Sequence, residues 1–154
     1  MMQLTDILQS DCVKVPLDAT GKQEAIYELV ELLCTQCHIE EVDELKQAIW
    51  ERELTRTTGI GHGIAIPHGK TLAVPQLCMA VGKPTKPIEF GAIDGQPVEL
   101  IFLLASPLDQ TGPHIQSLAR ISQMLTQEQI RSNIMTTTTA DDVYSLIESN
   151  QPGS

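Results

Sequence analysis

Val98-Glu99-Leu100-Ile101-Phe102-Leu103-Leu104-Ala105 decides the fold. A strand with one wet face alternates apolar and polar residues, whereas Leu100 to Leu104 is apolar without a break. Such a run belongs to a central strand covered on both faces. Downstream of Pro107 comes a loop and then Thr111-Gly112-Pro113-His114. Proline suits the first helical position, which puts His114 in the first turn of a helix with Ile115, Leu118, Ala119, Ser122 and Leu125 inside. Two short helices follow near residues 127–134 and 140–149, the second capped by Thr139 with Asp142. Upstream of the central strand, Asp94-Gly95 marks a tight turn. Ile88–Phe90, Cys78–Gly82 and Ile64–Ile66 read as strands, the last ended by Pro67. Earlier still, Ala25, Ile26, Leu29, Val30, Leu33, Cys34 and Cys37 recur at helical spacing, with Thr20 and Gln23 as a capping box. A second helix runs from Val42 to Glu53 with Val42, Leu45, Ile49 and Leu54 inward and Arg52 at its carboxyl end, where a cation suits the dipole. The pattern predicts one α/β domain with helices on both faces of a mixed sheet, over residues 1–150, with 151–154 as a short tail.

With 154 residues and a 42% hydrophobic fraction the chain is long and apolar enough for a buried core. A formal charge of −10 and only five aromatic residues exclude the basic, stacking surface that nucleic acid needs. The longest apolar stretch is too short to span a bilayer, and Met1 to Asp6 has no basic and apolar leader pattern. A cytoplasmic protein without membrane insertion is expected. Cys34-Thr35-Gln36-Cys37-His38 matches a haem-attachment pattern. Attachment needs export, zinc would need further ligands at comparable spacing, and the plainer reading puts both thiols on the buried face of a helix.

His68 is the candidate nucleophile. It follows Ile66-Pro67, where proline stiffens the exit from a strand. Imidazole is substantially neutral near pH 7, so one ring nitrogen can be oriented while the other attacks phosphorus. A phosphoryl group in transit needs donors for three equatorial oxygens. Arg52, the Thr57 and Thr58 hydroxyls, the Gly63-containing loop and Lys70 supply candidates, the arginine fork suiting phosphate best. Residue chemistry permits this transfer without demanding it, since a lone histidine beside a strand is more often a packed or surface residue.

Arg52-Glu53, Thr58-Gly59 and Gly63-Ile64-Ala65-Ile66-Pro67-His68-Gly69-Lys70 resemble the active-site signature of the fructose/mannitol-type enzyme IIA family of the bacterial sugar phosphotransferase system, which includes the nitrogen-regulatory IIA proteins. Pro87 to Val98 and Ile101 to Pro107 resemble its second block, and His114 its second histidine. The resemblance runs from about residue 3 to 149. It implies a three-layer α/β/α sandwich with a central mixed sheet. It also implies that His68 accepts a phosphoryl group, at Nε2, from an HPr-like phosphocarrier. Arg52 would stabilise the transferring group and His114 would lie beside it, with Thr58, Gly63 and Lys70 on the phosphate. Neither metal nor cofactor is called for. Downstream, the partner is either a regulatory target or a IIB component. The absence of a permease segment or a fused carrier domain favours the nitrogen-regulatory type over a sugar-specific IIA. His62 and Arg56 are additions to the pattern, the first read as an exposed loop residue and the second as part of a local basic spot. Two other classes compete: a metal site from His62, His68, His114 and Cys78, and a binding module with a silent site.

Overall fold

The computed structural model describes residues 2–151, so residues 152–154 of the expected tail lie outside the described residues. Gln151 itself is buried and tied to the domain, accepting from the Thr5 amide and donating to the Thr5 hydroxyl. After a 3-10 turn at Leu4–Asp6, the elements run β1 (Leu8–Leu17), α1 (Lys22–Cys37), α2 (Val42–Thr55), β2 (Gly59–Gly61), β3 (Ile64–Ala65), β4 (His68–Lys70), β5 (Cys78–Pro84), β6 (Leu100–Ser106), α3 (Thr111–Leu125), α4 (Glu128–Met135) and α5 (Ala140–Asn150).

Every residue of β6 is buried, as its unbroken apolar run demands. It lies in the middle of a mixed sheet of order β1-β5-β6-β3-β2, with β4 also on β6. β6 pairs antiparallel with β5 and parallel with both β3 and β4, and β1 joins β5 in parallel. Ile64 opposes Leu100 and His68 opposes Leu104. β3 and β4 thus hold one register and are a single strand line, interrupted at Ile66-Pro67. The proline has no N–H for the ladder; its carbonyl still accepts from the Leu104 amide at 2.9 Å. α1 packs with α2, α3 with α4 and α4 with α5, and both groups press on the sheet. Gly69 meets α2 on one face of β4, while Lys70, its neighbour along the strand, reaches Thr111 of α3. These opposed contacts make the three-layer α/β/α sandwich.

Several local expectations are corrected. α1 begins after Gly21 with no side-chain cap, so Thr20 and Gln23 form no capping box. Thr139 does cap α5, accepting from the Asp142 amide. Ile88–Phe90 is not a strand but a single bridge from Ile88 to Val98. β1 is a strand the hydrophobic pattern missed, because Asp11, Lys14 and Pro16 interrupt it. In α2 the inward residue of the last turn is Glu53, not Leu54, which is 67% exposed. α3 begins at Thr111, two residues before Pro113, and buries His114, Ser117, Arg120, Ile121, Met124 and Leu125. Ile115 and Ala119 face outward, and Leu118 and Ser122 lie between.

The four cysteines are free thiols. Those of Cys12, Cys34, Cys37 and Cys78 lie near one another between α1 and the β1–β5 pair. Burial pushes Cys12 up to about 12 and Cys34 up to about 11, and raises Cys78 further still. His38 ends α1 in the left-handed conformation, exposed. The Cys34–His38 motif is therefore a helix end with its first thiol in the core. Among the described residues no group of three or more His, Cys, Asp or Glu could hold a metal ion, and no helix is long and apolar enough to cross a membrane.

Candidate active site

The break at Pro67 builds the site. The Nδ1 of His68 lies 2.7 Å from the Ile66 carbonyl oxygen. A carbonyl can only accept, so Nδ1 carries the proton and the Nε2 of the neutral ring keeps its lone pair. Burial pushes His68 below its ordinary value; Arg52 and Lys70 act in the same sense, while the Ile66 carbonyl and Glu53 oppose them. The ring is therefore neutral at physiological pH, with a nucleophilic nitrogen held in one orientation.

His68 opens on a cleft of about 600 Å³ lined by Glu51, Arg52, Thr55, Lys70, His114 and Leu118, among others. Its floor exists because position 69 is glycine. A Cβ there would stand 2.9 Å from Ile49 Cγ1, 3.1 Å from the Ile49 amide nitrogen and 3.2 Å from the Ala48 carbonyl carbon. α2 can therefore lie directly on β4, and its last turn brings Arg52 beside His68. Arg52 also donates to the Arg56 carbonyl at 2.9 Å, and Lys70 to the Thr111 hydroxyl at 3.2 Å. From the other face α3 supplies His114, whose ring centroid lies 5.3 Å from that of His68, edge to face at 65°. His114 is 4% exposed, and burial, then the facing His68 and Lys70, push its imidazole down to about 4.

His68, Arg52, Lys70 and His114 thus share one cleft. Thr58 lines an adjoining indentation with Arg52, Ile60, His68 and Ile93, but its hydroxyl and amide are both committed to Glu53, at 2.5 and 2.8 Å. Gly63 is not at the cleft. It sits in the turn between β2 and β3 at φ +79°, beside Pro97, Glu99 and Met135. His62 is exposed on the same turn, its amide donating to Asp94, and Arg56 is exposed. Cys78 is buried among the other thiols, so the residues of the competing metal reading are not gathered. Two buried polar residues quoted in the motifs were given no role by the sequence reading. Glu53, with Lys22 at 3.0 Å, ties α1, α2 and the Thr58 segment together. The Ser106 hydroxyl lies 2.5 Å from the Nδ1 of His114. Its signal was its position, a hydroxyl closing a wholly apolar strand.

A strand-borne imidazole with a free nitrogen, two flexible cations and a second neutral imidazole over one open cleft form an arrangement that is chemically able to accept a phosphoryl group. Residues 6–150 match the family described as the phosphoenolpyruvate-dependent sugar phosphotransferase system, EIIA 2, and the chain belongs to that family. It is 34% identical over 149 residues to a nitrogen regulatory protein of Escherichia coli, covering 95% of this chain and 90% of the relative. It is 32% identical over 146 residues to a fructose-specific EIIABC component of Bacillus subtilis, covering 95% of this chain. The chain spans only 23% of that relative's length. The crystal structure of nitrogen regulatory protein IIA-Ntr from Neisseria meningitidis superposes with a TM-score of 0.85 at 30% identity, covering 92% of this chain and 97% of the other.

Proposed function

We propose that this chain is a phosphohistidine carrier that takes its phosphoryl group on Nε2 of His68 from a phosphohistidine on an HPr-like donor. One observation carries the reading: the Ile66 carbonyl holds Nδ1–H, leaving Nε2 as the single free nitrogen beside Arg52, Lys70 and His114. As the Nε2 lone pair attacks phosphorus, the bond from phosphorus to the donor imidazole breaks. Its electron pair returns to the donor ring. Charge that appears on the His68 ring is met at Nδ1 by the Ile66 carbonyl. Charge spread over the phosphoryl oxygens is met by the Arg52 fork and the Lys70 ammonium, with the positive end of α3 nearby. Among the candidates named above, Thr58 acts through Glu53 in shaping the wall, and Gly63 by allowing the β2–β3 turn. Exposed Ile60 and Ile93 at the rim suit a protein donor better than a small charged molecule.

Intact-mass measurement after incubation with phosphoenolpyruvate, enzyme I and an HPr-type carrier tests this. Wild type should gain one acid-labile phosphate and His68→Ala none; a phosphate retained by His68→Ala would move the acceptor elsewhere. Arg52→Lys keeps the charge but loses the fork, and should slow loading about tenfold; an unchanged rate would leave Arg52 without this role.

For the role of the phosphorylated chain we favour the nitrogen-regulatory type, on the 34% identity to such a protein and the TM-score of 0.85 against a IIA-Ntr structure. Transfer to a IIB component for sugar uptake is the second reading, supported by the fructose-specific relative. Addition of IIB proteins to the phosphorylated chain separates the two, since only the sugar-specific type should be discharged by one.

A further inference from the structure

Ser106 lies outside the cations and imidazoles assigned above, yet it is 0% exposed and its hydroxyl contacts Nδ1 of the second histidine. Its main chain is also held in place: the Ser106 carbonyl accepts from the Thr71 amide, and Ser106 pairs with Lys70 across β4–β6. The side chain therefore has little freedom to turn elsewhere.

A serine hydroxyl has one hydrogen to place and can also accept, whereas a neutral imidazole offers one donor and one acceptor nitrogen. Two arrangements satisfy the short contact. In the first, the serine donates to a bare Nδ1, so that the His114 proton sits on Nε2. In the second, Nδ1–H donates to the serine oxygen, and the buried hydroxyl hydrogen needs another acceptor. The structure gives the Ser106 hydroxyl His114 alone as a hydrogen-bond partner among the described residues, and a buried donor without an acceptor is costly. The first arrangement satisfies both groups. It also suits the neighbour: His68 and His114 stand edge to face at 5.3 Å, and His68 keeps a lone pair on Nε2.

We infer that Ser106 is a positioning residue for phosphoryl transfer: by donating to Nδ1 it holds His114 as the neutral Nε2–H tautomer, which offers a hydrogen, rather than a lone pair, to a phosphoryl oxygen on His68. This rests on His68 as the acceptor. His114 thereby acts as a neutral donor at a site whose positive charge comes from Arg52 and Lys70. A serine on the central strand is what makes a buried histidine usable in that role. Mirror-image assignments hold the two rings: the Ile66 carbonyl fixes His68 with Nδ1 protonated, and Ser106 fixes His114 with Nδ1 bare.

The test is nitrogen-15 spectroscopy of the imidazoles in the unphosphorylated protein, near pH 7, with wild type, Ser106→Ala and Ser106→Thr. Wild-type His114 should show a protonated Nε2 and a bare Nδ1. Threonine should keep that pattern, and alanine should shift population toward the other tautomer. Loading of His68 should fall on the order of tenfold in Ser106→Ala, the loss typical when an imidazole's orienting partner is removed, and recover with threonine. A wild-type His114 with Nδ1 protonated overturns the inference even if no variant folds, as does an alanine variant with an unchanged tautomer. Because the tautomer is read without any phosphate present, a failure of His68 to load would leave this measurement intact and count only against the carrier reading.

Discussion

Replacing His114 with asparagine should make the protein less sensitive to acid, even though it removes an imidazole from the cleft. In the folded protein the imidazole is held near 4 rather than its ordinary 6.5, because burial, and then the facing His68 and Lys70, oppose its charge. An unfolded chain therefore binds a proton at this residue between those pH values while the folded one does not, and stability falls as pH is lowered from 6.5 toward 4. The full displacement corresponds to about 3 kcal/mol, of which about 2 kcal/mol is already lost at pH 5. Asparagine does not titrate, and its amide oxygen can still accept from Ser106. The assay is urea unfolding of both proteins at pH 8 and pH 5. Wild type should lose about 2 kcal/mol more than the variant between the two, a difference near 1 M in midpoint for a slope of roughly 2 kcal/mol per molar. His68, also displaced downward, contributes in the same direction to both proteins and largely cancels. Equal losses in the two proteins would mean that His114 is not held neutral by burial, and its role as an uncharged donor would be refuted with that.

Two further substitutions probe the frame around the cleft. Gly69→Ala inserts a methyl group 3.1 Å from the Ile49 amide nitrogen, so backbone rather than a flexible side-chain tip must move; an overpacking cost of about 2 kcal/mol is expected, together with slower loading of His68 as Arg52 is displaced, and thermal unfolding with a loading assay reads both. A variant as fast and stable as wild type would show that α2 does not need this close approach. Glu53→Ala removes the carboxylate shared by Lys22, the Thr58 amide and the Thr58 hydroxyl. Because Lys22 is partly exposed and can hydrate, the loss should be about 3 kcal/mol, at the lower end for breaking a buried pair, and roughly 6–12 °C in Tm; a shift within 2 °C would show that the network is not stabilising.

The central strand was legible because it breaks a local rule in a way that has few explanations, while His68 was singled out by its place after Ile66-Pro67 together with the family resemblance. A five-residue apolar run needs cover on both faces, and Ile-Pro-His puts a proline where a ladder needs an N–H. The inward face of α3 was misread for a related reason. Periodicity assigns apolar residues to the core, but this helix buries His114, Ser117 and Arg120 and leaves Ile115 out, a stripe whose polar members carry no hydrophobic signal. The same preference for apolar residues chose Leu54 over Glu53. β1 was invisible because its polar and proline positions break both periodicities, and its pairing is set by β5, far away in the chain. Ser106 could be named from its motif but not given a role. Only the chain's return in α3 places His114 against it, and a contact across two elements leaves no spacing to read.

The interruption at Ile66-Pro67 fixes more than a tautomer. An acceptor carried on a long flexible arm can shuttle between two bound partners, but a ring rooted in β4 and latched two residues back can do little more than stay where it is. On the carrier reading proposed above, whatever loads His68 and whatever unloads it must come to the same mouth of the same cleft. They therefore exclude one another in time, and no ternary assembly can pass phosphate straight through. Exchange must proceed by alternation, as a ping-pong cycle in which the charged chain departs from one protein before it meets the next. On the proposed reading, the lifetime of the phosphorylated form between those encounters is what a downstream partner would sample.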